Sequence, residues 1–306
     1  MLDRRLVEDV AGRLRSDPGL VEKDWHVTRA IGVLAAFDHG AAVPAFGGGT
    51  SLSKGWGLIK RFSEDIDFKV SMPAGVSRNR AKKERSAYRE RVLGALVDAG
   101  FVLAAEPSKR DENRFFSADL FYPSMFDTGP SLRPHLRVEM SLTGPAMPPV
   151  ARPIASLIGA AQGNPPEVAA FLCVDPVETA ADKLSALAWR VSARRRGSDD
   201  DDPTIVRHVH DLAALKASVT ASSDFAGLVR KAMSDDTGRG GEGIASSDPA
   251  ARFADMIERL TADPLWAGEY QDYVRQVSFA APGEPTGFDE ALGTVRELVA
   301  RLGEKV

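Results

Sequence analysis

One short segment, Gly47 to Phe68, constrains this chain more than any other: GGGTSLSKGWGLIKRFSEDIDF. Its end, Asp65-Ile66-Asp67-Phe68-Lys69-Val70, alternates with period two, which predicts a strand with one apolar face. Residues two apart on a strand share a side, so Asp65 and Asp67 project together while Ile66 and Phe68 turn to the core. Two carboxylates about 7 Å apart on one face repel each other unless a cation lies between them. Oxygen ligands presented this way suit Mg²⁺ (or Mn²⁺), commonly held by one or two carboxylates plus substrate phosphates. Upstream, Ala42 to Phe46 reads as a short buried strand running into Gly47-Gly48-Gly49. Gly48 and Gly49 let the backbone approach a ligand closely, and a helix start at Thr50 and Ser51 offers N–H groups to an anion. An Asp-x-Asp alone is usually a solvated strand end, and a glycine triplet alone is usually a turn. Side by side they form the layout that phosphoryl or nucleotidyl transfer requires.

The composition permits such an enzyme. The 306 residues are 43% hydrophobic and 27% charged, which excludes a disordered chain. The length suggests about two domains, each able to bury a core. With 39 Lys and Arg against 43 Asp and Glu, the net charge of −4 argues against a protein coated in nucleic acid but not against a local basic patch. The single Cys173 excludes an internal disulfide or a multi-cysteine zinc site and fits a reducing compartment. No apolar run approaches the ~18 residues of a membrane span. The opening MLDRRLVEDVAGRLRSDPG lacks a secretory stretch, so the expectation is a cytoplasmic protein with no membrane partner.

The expected architecture is α+β: a mixed β-sheet flanked by helices over 1–155, then a mostly helical domain over 156–306. Leu6, Val10 and Leu14 recur at helical spacing up to a turn at Asp17-Pro18-Gly19, and a second helix runs from Val21 to about Asp38. Thr50 to Ile59 places Leu52, Trp56 and Ile59 on one helical face, weakened by Gly55 and Gly57. Phe101 to Ala105, Phe115 to Tyr122 and Leu132 to Leu142 read as strands. The proline-spaced stretch Ser141 to Glu167 is taken as the seam between domains, and Asp236 to Ser247 as a low-complexity loop. Between Arg78 and Arg91 one amphipathic helix carries Arg78, Arg80, Lys82, Lys83, Arg85, Arg89 and Arg91 against Glu84 and Glu90. That run reads either as a solvated face with internal ion pairs or as a track for phosphates.

The string GGTSL, then Lys54, then RFSEDIDF, resembles the signature of the AbiEii-type nucleotidyltransferase toxins of the DNA polymerase β-like superfamily. Glu22-Lys23-Asp24-Trp25 resembles a segment that often precedes it, and the resemblance resumes at Arg137-Val138-Glu139 and from Asp175 to Asp211. It implies a third acidic residue on a neighbouring strand, for which Glu139 is the match and Asp119 the reserve. The alternative for Glu139 is an exposed carboxylate paired with Arg137 or Arg133. The resemblance also implies that Lys183, on a helix opened by Asp175, Pro176 and Glu178, points at nucleotide phosphates; by helical spacing Arg190, seven residues on, shares its flank. Asp211 matches an acidic residue that orients or deprotonates the attacking hydroxyl, unless it pairs with Arg207 one turn back. His208 and His210 diverge on their helix and make a poor metal pair. The stretch Arg194 to Asp202 is longer than the family usually has.

The expected reaction is Mg²⁺-dependent transfer of a nucleoside monophosphate from a nucleoside triphosphate to an acceptor hydroxyl, with pyrophosphate released. Asp65, Asp67, Lys183 and Asp211 are the catalytic candidates, and Asp65, Asp67 and Glu139 the metal candidates. Gly48, Gly49, Thr50, Ser51, Lys54, Arg61, Ser63 and Arg190 are the nucleotide-binding candidates. Relatives in the family are toxins of toxin–antitoxin pairs, some acting on the 3′ end of tRNA. That implies an RNA acceptor, with Arg78, Arg80, Lys82, Lys83 and Arg85 as its contacts, and a cognate antitoxin. The rivals are a small-molecule transferase of the aminoglycoside-modifying kind and a non-catalytic partner-binding relative.

Overall fold

The structure, a computed structural model, describes residues 2–126, 133–237, 248–281 and 283–303. The chain divides into two compact units, Met1–Asp175 and Pro176–Val306. The division falls twenty residues beyond the seam expected at 155/156, because the proline-spaced stretch is not a linker. It contributes an edge strand and a short helix to the first unit.

Unit one opens with α1 (Arg4–Leu14) and α2 (Pro18–Ala36). Asp17 caps α2, its carboxylate accepting from the Gly19 N–H with Pro18 in the first turn, a pairing that starts helices efficiently. Then come β1 (Val43–Gly47), α3 (Gly48–Lys54), β2 (Asp65–Ser71), α4 (Arg78–Asp98) and β3 (Val102–Leu103). They are followed by β4 (Ser108–Arg110), β5 (Phe115–Phe121), β6 (Leu136–Ser141), β7 (Val150–Ile154), α5 (Leu157–Ala161) and β8 (Val168–Cys173). The eight strands form one mixed sheet ordered β3-β5-β6-β2-β1-β8-β7, with β4 paired to β5. β2 runs antiparallel to β1 and parallel to β6.

Alternation decides the two faces. Ile66, Phe68 and Val70 of β2 and Leu136, Val138 and Met140 of β6 are buried with Ala30, Ile31 and Leu34 of α2 and Val92 and Leu96 of α4. These helices cover one face of the sheet, and the polar residues between the buried ones occupy the other. α3 is shorter than the expected 50–59 helix: it ends at Lys54, before Gly55 and Gly57, the latter at φ +63°. β6 begins at Leu136, and residue 132, where a strand was expected to start, lies outside the described residues.

Unit two is helical as expected: α6 (Pro176–Ala193), α7 (Arg207–Ala214), α8 (Lys216–Thr220), α9 (Phe225–Thr237), α10 (Pro249–Ala262), α11 (Leu265–Val277) and α12 (Phe288–Gly303). α7, α9 and α10 pack on α6, whose Val177, Ala181, Leu184, Ala188 and Val191 are buried. Most of the low-complexity loop, 238–247, lies outside the described residues. The 194–202 insertion folds as an ion-pair network, with Arg194 bonded to Asp201 and Glu269, and Arg196 to Asp263 and Glu269. No described helix is long and apolar enough to cross a membrane.

Candidate active site

Asp65 and Asp67 stand on the polar face of β2, half-exposed, as their spacing requires. Parallel pairing sets Asp67 beside Glu139 and Asp65 beside Arg137. Antiparallel pairing then sets Glu139 beside Ser117 and Arg137 beside Asp119. Strands lie about 4.8 Å apart, so one patch of sheet carries four carboxylates. They are not equivalent. Arg137 holds Asp119 through two hydrogen bonds, of 2.7 and 3.0 Å, and keeps its carboxyl below the usual range. That pairing engages both oxygens of Asp119, the reserve third ligand, while Arg137 also feels the charges of Asp65 and Glu139. Arg133, the other expected partner of Glu139, lies 2.9 Å from Asp65. Among the described residues no three His, Cys, Asp or Glu side chains converge on one metal-sized point. Register brings Glu139 alongside without drawing it into a closed set, as mutual repulsion of the carboxylates dictates.

The glycine turn meets this patch. Gly48, at φ +66°, lies so near Asp67 that a Cβ would fall 1.9 Å from its Oδ2. A Cβ on Gly49 would lie 2.5 Å from Arg61 Nη2 and 3.1 Å from Ser63 Oγ. Gly48 and Asp67 are therefore neighbours, as are Gly49, Arg61 and Ser63. Thr50 and Ser51 are different: both are buried, and the Thr50 hydroxyl donates to the Asp65 carbonyl, tying α3 to β2. Only their main chain remains to meet an anion. Lys54 is turned away from the glycines. Its ammonium, 6% exposed, pairs with Asp24 at 2.6 Å and donates to the Ala155 carbonyl at 3.2 Å.

The string Glu22-Lys23-Asp24 explains itself here. Glu22 is fully buried and accepts from Ser124 Oγ and from the Met125 and Phe126 N–H groups. Lys23 bonds Glu64 and the Arg133 carbonyl. Asp24 holds Lys54 and the Leu157 N–H. Three successive charges on α2 thus fasten the chain after β5, the approaches to β2 and β6, the end of α3 and the start of α5. Burial lowers the Lys23 pKa, against the opposing pull of Glu64. Glu64 and Arg133 as site neighbours were missed from the sequence. The available signal was a run of three charges inside an otherwise apolar helix, since buried charges persist only when partnered.

In unit two, Lys183 and Asp211 meet at 2.8 Å, the aspartate fully buried. Asp211 therefore pairs with Lys183 rather than Arg207, which bonds Asp202 instead. Such a buried partner fixes where the ammonium points. His210 Nδ1 lies 3.1 Å from Asp211. His208 is buried with neither ring nitrogen hydrogen-bonded among the described residues, and burial beside Arg207, Lys183 and Arg190 holds its pKa well below the ordinary value. Arg190 packs over Trp189 and lies 3.4 Å from Asp202, which accounts for it as part of the insertion's network.

The basic helix divides in two. Arg78, Arg80, Lys82 and Lys83 are exposed, with Arg78 paired to Glu112 and Arg80 to Glu84. Arg85 is buried and donates to the Glu112 carbonyl at 3.3 and 3.2 Å, which removes it from the RNA-binding set. It clamps a turn in which Asp111, Glu112 and Asn113 all take positive φ (51°, 54° and 66°). Left-handed backbone of that kind persists only where surrounding bonds hold it.

No curated protein matches the chain. Among solved structures it is similar to MenT4, a nucleotidyltransferase toxin from Mycobacterium tuberculosis H37Rv, with a TM-score of 0.55, 20% identity, and coverage of 100% of this chain and 91% of that one. A likeness at that identity establishes the shared fold. The sequence model described as nucleotidyl transferase AbiEii toxin, type IV toxin–antitoxin system, matches residues 33–294, and that span contains the glycine turn, Asp65, Asp67, Lys183 and Asp211. With that much of its length accounted for, the chain belongs to the AbiEii family of nucleotidyltransferase toxins.

Proposed function

We propose that this toxin transfers a nucleoside monophosphate from a nucleoside triphosphate to the 3′ hydroxyl of an RNA acceptor, with tRNA the expected acceptor, and that a cognate antitoxin restrains it in the cytoplasm. One observation carries the reading. Gly48 admits no Cβ beside the Asp67 carboxylate, so main chain and carboxylate sit close enough to share one polyphosphate–metal ligand.

The donor chemistry fits a hard divalent ion such as Mg²⁺ or Mn²⁺. Asp65 and Asp67 supply carboxylate oxygens, Glu139 stands on the next strand, and the remaining positions suit phosphate and water. When bound, such an ion neutralises charge on both the attacking and the departing oxygen. Gly48, Gly49 and the main chain of Thr50 and Ser51 receive the phosphates, with Arg61 and Ser63 bordering them. Lys183, held by Asp211, is the residue that the family resemblance assigns to the negative charge that builds as the acceptor oxygen bonds to the α-phosphorus and pyrophosphate leaves. Asp211 acts through Lys183 as a positioning residue. The exposed Arg78, Arg80, Lys82 and Lys83 supply phosphate contacts for RNA.

The test is incubation with each of the four labelled triphosphates, with total RNA in one arm and aminoglycosides in the other. Label on RNA in the wild type, lost with Asp65→Ala and restored by no added metal, is the expected result. Label on the aminoglycoside alone would replace the RNA acceptor with a small molecule.

A further inference from the structure

Arg133 combines a fixed root with a half-exposed head beside Asp65. Its N–H donates to Glu64 Oε2 at 3.2 Å, and its carbonyl accepts from Lys23 Nζ at 2.6 Å. Lys23 is 2% exposed and also bonded to Glu64, so the main chain at 133 is held by a closed ring of buried and half-buried charge. The side chain is 40% exposed; its guanidinium meets Asp65 Oδ1 through Nη1 alone at 2.9 Å, while Nε lies 3.6 Å from Glu64 Oε1. Nearby, Arg137 grips Asp119 through two bonds, the geometry of a permanent pair. A single-pronged, solvated pair is worth at most about 1 kcal/mol, and a divalent ion competes for the same carboxylate with twice the charge.

We propose that Arg133 is an exchangeable cation of the active site: it neutralises Asp65 in the metal-free protein and, once a divalent ion takes the carboxylate, its guanidinium becomes a contact for the substrate's phosphate oxygens. The inference rests on Asp65 and Asp67 being the metal ligands. Because the root stays anchored, the displaced head remains within one side-chain length of Asp65. There its planar fork matches two phosphate oxygens, which a lysine's point charge does not. The sheet face then holds a positive charge in both states, and the aspartates are never left facing each other uncompensated.

The test reads binding rather than turnover. Mn²⁺ is titrated into nucleotide-free protein by electron paramagnetic resonance for the wild type, Arg133→Ala, Arg133→Lys and Asp65→Ala, and a non-hydrolysable triphosphate is then titrated at saturating Mn²⁺. Arg133→Ala is expected to bind Mn²⁺ roughly fivefold more tightly, since the competing pair is gone. It should bind the triphosphate about tenfold more weakly, since a charge-assisted fork is lost. Arg133→Lys should keep near wild-type Mn²⁺ affinity while losing most of the triphosphate affinity, which separates the fork from the charge. Unchanged Mn²⁺ affinity in Arg133→Ala, or both affinities falling together, overturns the proposal. Equal Mn²⁺ binding by the wild type and Asp65→Ala would instead overturn the metal assignment beneath it.

Discussion

Asp211 and Asp65 each sit in an ion pair of almost the same length, 2.8 Å to Lys183 and 2.9 Å to Arg133. Their surroundings differ. The Asp211 side chain is 0% exposed and Lys183 10%, whereas Asp65 is 33% exposed and Arg133 40%. Length alone does not separate a fixed pair from one that exchanges partners. Water access does, because a pair sealed from solvent cannot lose one partner without stranding the other charge, while an open pair exchanges partners at little cost.

The largest effects should fall on catalysis at the open pair. Asp65→Ala and Ser63→Glu are both expected to reduce transfer to background while leaving melting temperature within a degree or two. The first removes the proposed metal ligand; the second puts a carboxylate beside Gly49, close to Asp65 and Asp67. Full activity of Ser63→Glu would take Ser63 out of the site. Next, Asp211→Ala should cost about 3–5 kcal/mol in denaturant unfolding by leaving Lys183 buried and unpaired. A loss as small as that of Asp65→Ala would erase the contrast between the pairs.

A third effect depends on pH. Burial lowers the His26 pKa from 6.5 to about 4, so the unfolded chain takes up a proton that the folded chain refuses. This part of the stability is complete above pH 6.5 and is lost as pH falls toward 4, by at most about 2–3 kcal/mol. His208, buried and held neutral, acts in the same direction. Chemical unfolding of His26→Phe across this range should show a shallower decline than the wild type. The smallest effect belongs to the exposed part of α4. Lys82→Glu with Lys83→Glu should weaken RNA binding and lower its salt slope by about one per contact, with no change in melting temperature. Arg85→Ala should lower the melting temperature instead, because it releases the turn at 111–113.

The parts legible in the sequence were those where one physical rule dominates. β2 and β6 each bury one face, so their alternation was readable, and the seven-residue α3 stops where Gly55 and Gly57 weaken it. β7 and β8 were not readable. β7 is an edge strand carrying Pro153, and β8 does not alternate in burial, so neither shows a period. The close approach of the glycine turn to the aspartate strand was legible because backbone freedom and carboxylate spacing are local properties. Lys54 and Arg85 misled because partner choice is not local: Asp24 is thirty residues before Lys54 and the Glu112 carbonyl 27 residues after Arg85. The AbiEii resemblance placed Lys183 and Asp211, and the structure added that they bond each other.

The parallel pairing of β2 with β6 has a consequence during synthesis. Asp67 and Glu139 become neighbours only when the later strand has been made, and all of α4 and β5 must be translated between them. At about 5–20 residues per second, a ribosome needs several seconds to cross that interval. A growing polypeptide therefore carries its two aspartates for seconds without the strand beside them. A truncated product ending before residue 136 would keep the Asp-x-Asp sequence yet lack β6, the strand that sets Glu139 beside Asp67.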